Sequence, residues 1–131
     1  MATFEAARNK YVSDSVQTMS PGHLIVALYD RILLDLERTL AALAESDLYS
    51  AHSALMHAQE IVFELLTSLD VQQWPEGKTL AALYRHIQDL LVEANVVKQP
   101  APVLACRDLI LPLRDAWREA AGLVPSAGGA S

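Results

Sequence analysis

The sequence predicts an all-α protein folded as an antiparallel four-helix bundle, and three observations support that prediction. Apolar residues make up 52% of the chain and are mostly Leu and Ala, which favour helix over strand. They recur with the helical period in four segments of about 20 residues each. Short connections join these segments, and short connections place successive helices side by side in opposite directions.

The first helix is predicted from Ser20-Pro21 to about Ala44. Ser20 can accept hydrogen bonds from the N–H groups of the first turn, and proline fits the first helical position, where no N–H is needed. At 100° per residue, charged residues that include Asp35 fall on the outward face. The apolar residues on the opposite, inward face are Ile25, Leu28, Ile32, Leu36, Leu40 and Leu43.

The second helix follows an interruption at residues 45–47, where Ser46 or Asp47 can cap its first turn. It is predicted to end at about Leu69. Its inward residues are spaced close to a heptad repeat, which is typical of helices that pack in bundles. They are Leu48, Ala51, Leu55, Ala58, Val62, Leu65 and Leu69.

The third helix is predicted from about Glu76 to Asn95, after a connection that contains the breakers Pro75 and Gly77. Apolar residues again share one face of this segment, so it should pack on the same core. They are Leu80, Leu83, Tyr84, Ile87, Leu90, Leu91 and Ala94.

The fourth helix is predicted to start at Pro100 or Pro102. Pro112 lies in its middle, where it removes a backbone hydrogen bond and should kink the helix. The inward residues are Val103, Cys106, Ile110, Leu113, Trp117 and Ala120.

At 131 residues the chain is expected to form one domain with three parts. Residues 1–19 are an unpatterned segment predicted to dock on the bundle. Residues 20–121 form the bundle, and residues 122–131 are rich in Gly and Ala and are predicted to be a flexible tail.

Composition argues against several classes of function. The net charge is −6 and the ten Lys and Arg residues are scattered, so no basic patch is available for nucleic acid. No apolar run approaches the roughly 20 residues of a membrane span, and no secretory signal is recognisable. The lone cysteine, Cys106, suits a reducing compartment. We therefore expect a cytoplasmic protein that binds neither nucleic acid nor membrane.

Motifs for catalysis or cofactor binding are absent from the sequence. A di-metal bundle needs two Glu-x-x-His pairs, and none occurs here. His52 and His57 are five residues apart and so do not share a helical face, and Cys106 lies on a core face. No Gly-rich phosphate loop is present. We expect no cofactor and no enzymatic activity, and a small-ligand or metal bundle is the weaker alternative.

The second helix carries an unexpected outer row of apolar residues. Tyr49, Met56 and Phe63 are seven apart and lie about 120–160° around the helix from its core face. Leu104 and Leu111 lie similarly off the core face of the fourth helix. Because large exposed apolar patches mark interaction sites, these five residues are predicted to bind a partner.

The same rows can also be explained without a partner. The second helix could be buried on two sides, or residues 1–19 could cover it. Tyr11, Val16 and Met19 are the apolar residues that would make such a cover. Partner binding and coverage without a partner can both apply if the cover made by residues 1–19 is removable.

Residue patterns along nearly the whole chain resemble the flagellin-specific export chaperones. At the N-terminal end the resemblance lies in Tyr11, Val16, Thr18, Ser20-Pro21, Leu24 and Leu28-Tyr29-Asp30. It continues in AHSALMHAQEIVFELLTSLD, LAALYRHIQDLLVEAN and LRDAWREA, in the family's order. The match runs from Tyr11 to about Ala121.

This resemblance implies a small cytoplasmic α-helical bundle without enzymatic activity. Such chaperones bind the disordered C-terminal segment of flagellin, prevent premature polymerisation and bring flagellin to the flagellar type III export apparatus. The expected partners are therefore flagellin and a component of the export gate, and the protein itself should be a monomer or weak homodimer. The alternative is a helical oligomerisation module without a client, whose outer rows form a homodimer interface.

Overall fold

The computed structural model describes residues 21–70, 72 and 74–122, and this part of the chain is an all-α bundle. Helix α1 spans Pro21–Ala44, α2 spans Leu48–Thr67, α3 spans Gly77–Val97 and α4 spans Pro100–Ala120. The predicted fold class is confirmed, and the helix ends agree with the predictions to within two residues. The predicted cover and most of the predicted tail lie outside the described residues.

The helices pack in cyclic order around the core. Helix α1 contacts α2 and α4, and α3 contacts the same two helices. The diagonal pairs are therefore α1 with α3 and α2 with α4, which the sequence alone left open. At the α2/α3 interface, residue 52 contacts residue 95 and residue 59 contacts residue 88, so these two helices are antiparallel. The short connections between successive helices give the other neighbours the same arrangement.

Side chains at the helix ends explain where the helices start. Asp47 caps α2, since its carboxylate accepts hydrogen bonds from the Ser50 N–H at 3.1 Å and the Ser50 hydroxyl at 2.6 Å. The structure thus selects Asp47 rather than Ser46 as the cap. Gly77 lies beneath the indole of Trp74, where an added Cβ would sit 3.0 Å from the ring. A larger residue at this position would push the indole away from the start of α3.

Most of the predicted inward residues of all four helices form the core, but Leu48 at the start of α2 is 54% exposed and Ala120 at the end of α4 is exposed as well. Within the core the hydroxyls of Tyr29 and Tyr84 form a hydrogen bond at 2.5 Å, which joins the diagonal helices α1 and α3. The Trp117 side chain of α4 lies beside the Tyr29 hydroxyl. Tyr29 is fully buried, as its position at the edge of the inward face predicts.

One prediction about an individual residue needs revision. Asp35, predicted on the outward face, is buried with 1% of its surface exposed. Its carboxylate hydrogen-bonds His57 of α2, and α2 packs over this side of α1. Helix α4 continues past Pro112 to Ala120, with Pro112 on the exposed side, and the kink at Pro112 stays a prediction.

Candidate functional site

The three predicted residues of α2 form an exposed apolar row. Tyr49 is 79% exposed, Met56 42% and Phe63 51%. They point outward because Ala51, Leu55, Ala58 and Val62 occupy the inward face of the same helix. The row is thus open to a partner, although nothing in the structure identifies that partner.

Helix α3 has three exposed apolar residues that the sequence analysis missed. Val92 is 48% exposed, Val96 76% and Val97 45%, and by the helical period Val92 and Val96 lie on the side of α3 nearer α2. Their positions off the buried face of α3 can be read from the helical period. A single exposed valine is ordinary on any protein surface, so these two become informative only once their neighbours on α2 are known.

Polar contacts between α2 and α3 set the register that brings these residues together. His52 Nδ1 and Asn95 Oδ1 are 3.1 Å apart. One heptad further along α2, Gln88 Nε2 donates a hydrogen bond to the Gln59 carbonyl at 3.0 Å. Met56 lies midway between the two α2 anchors, and Val92 lies midway between the two α3 anchors.

Met56 and Val92 are consequently level with each other along the bundle. With this register, the exposed apolar residues of the two helices lie on one surface of the bundle, on either side of the polar contacts made by His52 and Gln59. We call it the α2/α3 face, and it consists of Tyr49, Met56, Phe63, Val92 and Val96.

The residues predicted on α4 lie on a different surface. Leu104 and Leu111 are half-buried, and Leu111 lines a groove of about 380 Å³ between α1 and α4 together with Leu34. An ion pair between Arg114 and Asp30, with 2.8 Å between nitrogen and oxygen, crosses the end of this groove. Because α2 and α4 are diagonal, the structure does not bring the five predicted residues into one site.

A third surface, the groove between α1 and α2, is lined by charged, small and aromatic side chains. It has a volume of about 630 Å³ and contains Asp35 and His57, with Arg31 and Arg38 among its lining residues. Burial raises the pKa of the Asp35 carboxyl, whereas its hydrogen bond to His57 and the charges of His57, Arg31 and Arg38 act in the opposite direction. Tyr49 also lines this groove, so the groove adjoins the α2/α3 face.

The chemical groups of the core are unsuited to reactivity. Cys106 is buried, and burial raises the pKa of its thiol to about 12, so the nucleophilic thiolate is not populated near neutral pH. Across residues 21–70, 72 and 74–122, no cluster of three or more His, Cys, Asp or Glu residues could hold a metal ion.

Two further observations bear on the predictions. None of the helices in the described ranges combines the length and the hydrophobicity that crossing a membrane requires. Tyr11, Val16 and Met19, the predicted cover, lie outside the described residues, so their docking stays a prediction.

The chain is similar in sequence to known proteins along almost its entire length. The sequence model of the family described as flagellar protein FliS matches residues 4–123. A similar protein, the flagellar secretion chaperone FliS of Bacillus subtilis (strain 168), is 27% identical over 110 residues, which make up 84% of this chain and 82% of that protein. The family match includes all four helices and every residue of the α2/α3 face.

Proposed function

Because the chain belongs to the family of the flagellar protein FliS, we propose that it is a cytoplasmic, non-enzymatic export chaperone for flagellin. It binds the C-terminal segment of newly made flagellin and keeps flagellin from polymerising early. It then delivers flagellin to a component of the flagellar type III export gate.

The α2/α3 face is the observation that carries this proposal. Bundle helices normally turn polar residues towards solvent, yet this face exposes two aromatic rings, a methionine and two valines. Methionine and aromatic side chains suit binding surfaces that must adapt to a flexible partner. The face therefore has the chemistry of a docking site for an apolar helix or extended segment.

A disordered client needs a wide contact surface. A segment that orders on binding loses conformational entropy, so useful affinity requires contact over a large apolar area. In this proposal the α2/α3 face is the main contact surface for the client, and the α1/α4 groove is a secondary one. Tyr49, Met56 and Phe63 are the main contacts in this proposal, and Leu104 and Leu111 are the secondary ones.

The N-terminal segment supplies regulation in this proposal. Residues 1–19, through Tyr11, Val16 and Met19, act as an internal ligand that covers part of the client surface in the free protein. Client and cover then compete, which lowers the apparent affinity for the client and shields the apolar surface until a client arrives.

The proposal is tested by titrating the protein with the C-terminal peptide of flagellin from the same cell. The combined substitutions Met56→Glu and Phe63→Glu place charge in the middle of the proposed contact. Because central contacts of an interface can each contribute 2 kcal/mol or more, affinity should fall by at least ~100-fold. Isothermal titration calorimetry measures the affinity, and far-UV circular dichroism checks that the bundle stays helical.

A matched control adds the same charge elsewhere. Ala82→Glu with Ala116→Glu places two carboxylates on exposed positions of α3 and α4, and this variant should bind like the original protein. If the Met56 and Phe63 variant binds with unchanged affinity, the α2/α3 face is not the client site. If the original protein does not bind the peptide at all, the client itself is wrong.

A further inference from the structure

We propose that Gln88 is a specificity-determining residue of the α2/α3 face, and that its side-chain amide pairs with an asparagine or glutamine side chain of the client. This pairing rests on the proposed function, because it names one chemical feature that the client segment must carry. The bundle encloses a hydrogen-bond acceptor at this place and leaves it unused.

The two ends of the Gln88 amide differ in their contacts. Nε2 donates a hydrogen bond to the Gln59 carbonyl at 3.0 Å. Oε1 is enclosed, and it has no hydrogen-bond partner among the residues that the structure describes. A buried acceptor without a partner has lost its hydration and has gained no bond in return, which destabilises the free protein. Within the described ranges, Oε1 of Gln88 is the one buried side-chain atom in this condition.

Turning the Gln88 amide over would not satisfy its oxygen. If oxygen and nitrogen exchanged places, the oxygen would face the Gln59 carbonyl, and two acceptors cannot bond each other. The Gln59 carbonyl is held in place because it belongs to the backbone of α2. It therefore keeps the nitrogen of Gln88 on its own side and the oxygen on the other.

The Gln88 amide lies within the α2/α3 face. The Gln59 carbonyl that it contacts is also the one that accepts the helical hydrogen bond from the Phe63 N–H. On α3, Val92 lies one turn after Gln88 on the same side of the helix. Gln88 is half-buried and lies between Phe63 and Val92, so a client that covers these two residues also covers the amide.

A primary amide is the client group that fits Gln88 best. The Gln88 side chain has two N–H groups, and its bond to Gln59 uses one of them. An asparagine or glutamine of the client can donate to Oε1 and accept from the second N–H, so that the two amides bond each other twice. The terminal torsion of a glutamine is broad, which lets the amide turn to meet this partner.

The enclosed oxygen favours such a client over a purely apolar one. Oε1 is already shielded in the free protein, so pairing it on binding adds a hydrogen bond without a further cost of desolvation on this side. An apolar side chain at the same place would leave the acceptor unpaired in the complex as well. Gln88 thus selects for an amide within an otherwise apolar segment.

The substitution Gln88→Met tests this role, because it keeps the length of the side chain and removes the amide. Affinity for the C-terminal peptide of flagellin should fall about tenfold, since a hydrogen-bonded pair inside the interface is lost. The urea midpoint should stay the same or rise, because the variant encloses no unpaired acceptor and the Gln59 carbonyl keeps its helical partner. A residue that only held α2 and α3 together would lose stability instead.

A matched control and a set of peptides complete the experiment. Gln72→Met makes the same change at an exposed position of the α2–α3 connection and should bind like the original protein. Peptides in which each asparagine and glutamine is replaced in turn by leucine then locate the partner. One replacement should weaken binding to the original protein about tenfold and have little effect on binding to Gln88→Met.

Three outcomes would overturn the pairing. They are unchanged affinity of Gln88→Met, a clear fall in its urea midpoint, and the absence of any peptide amide whose replacement is coupled to Gln88. Each differs from a failure of the proposed function, in which the original protein does not bind the peptide at all.

Discussion

At the scale of single residues, Asp35 shows how neighbouring helices change the environment of a charge. Its carboxylate lies in the α1/α2 interface, 2.5 Å from His57 Nδ1 and 3.9 Å from Arg31 Nε. Burial disfavours the ionised carboxylate and raises the pKa of Asp35, whereas His57, Arg31 and Arg38 lower it. The effect of burial is the larger one, so the pKa of Asp35 is raised above its ordinary value of 3.8. The folded bundle therefore holds the Asp35 proton more tightly than the unfolded chain does.

Because the pKa of Asp35 is raised in the folded state, the contribution of Asp35 to stability should decrease as the pH rises. Between the ordinary pKa of 3.8 and the raised value in the folded state, the folded protein binds more protons at Asp35. The contribution of Asp35 to the free energy of unfolding therefore falls as the pH rises through that window and is constant above it. Asp35→Asn lacks the titrating group, so the stability of the original protein minus that of the variant should fall over the same window.

Urea unfolding of both proteins at a series of pH values from 3.5 to about 7.5 gives this difference directly. Other carboxyl groups titrate in both proteins and cancel in the subtraction. A difference that stays constant or rises with pH would mean that Asp35 is not held in the buried environment described above.

At the scale of the helices, a cluster of three large side chains connects three of the four elements across the core. Tyr29 of α1 hydrogen-bonds Tyr84 of α3, and Trp117 of α4 lies beside the Tyr29 hydroxyl. Burial raises the pKa of both tyrosine hydroxyls, which keeps them protonated and able to bond each other. The cluster fixes how α1 sits against its diagonal partner.

Removing the two hydroxyls should therefore have non-additive effects. Tyr29→Phe leaves the buried Tyr84 hydroxyl without its partner, and Tyr84→Phe leaves the buried Tyr29 hydroxyl without its partner. Each single variant should lose about 1–3 kcal/mol of stability. The double variant should lose less stability than the two single losses added together, because it buries no unpaired hydroxyl at this place.

Chemical denaturation of the four proteins completes the double-mutant cycle. Strict additivity would show that the two hydroxyls do not interact in solution.

At the scale of the whole molecule, three surfaces with different chemistry surround one core. The α2/α3 face exposes apolar side chains, the α1/α2 groove combines charged side chains with alanines and Tyr49, and the α1/α4 groove combines leucines with an ion pair. A client that wraps around the bundle meets these surfaces in turn. The proposed cover competes with the client for the α2/α3 face.

Deleting residues 1–19 tests the cover. Without an internal competitor, the affinity for the flagellin peptide should rise, by about two- to tenfold if the cover is in place half to nine-tenths of the time. Calorimetric titration of the truncated protein measures this change. Circular dichroism provides the control, because a bundle that melts on truncation would show that the segment is structural and that the competition idea is wrong.

The helices and their inward faces were predictable because they depend on the spacing of apolar residues within each segment. The same spacing revealed Tyr49, Met56 and Phe63. Contacts between segments were not predictable in this way. The burial of Asp35 depends on His57 arriving from another helix, and the place of Val92 depends on a register set by side-chain hydrogen bonds.

The two tryptophans occupy contrasting environments, and this gives the molecule two natural optical reporters. Trp117 is partly enclosed against Tyr29, whereas Trp74 rests on Gly77 with its indole substantially in water. Fluorescence from Trp117 therefore follows the packing of α4 on the core. Fluorescence from Trp74 follows the connection that leads into α3. Both tryptophans lie at the end of the bundle where α3 begins and α4 ends, so a change confined to that end will shift the emission wavelength before it lowers the helical content.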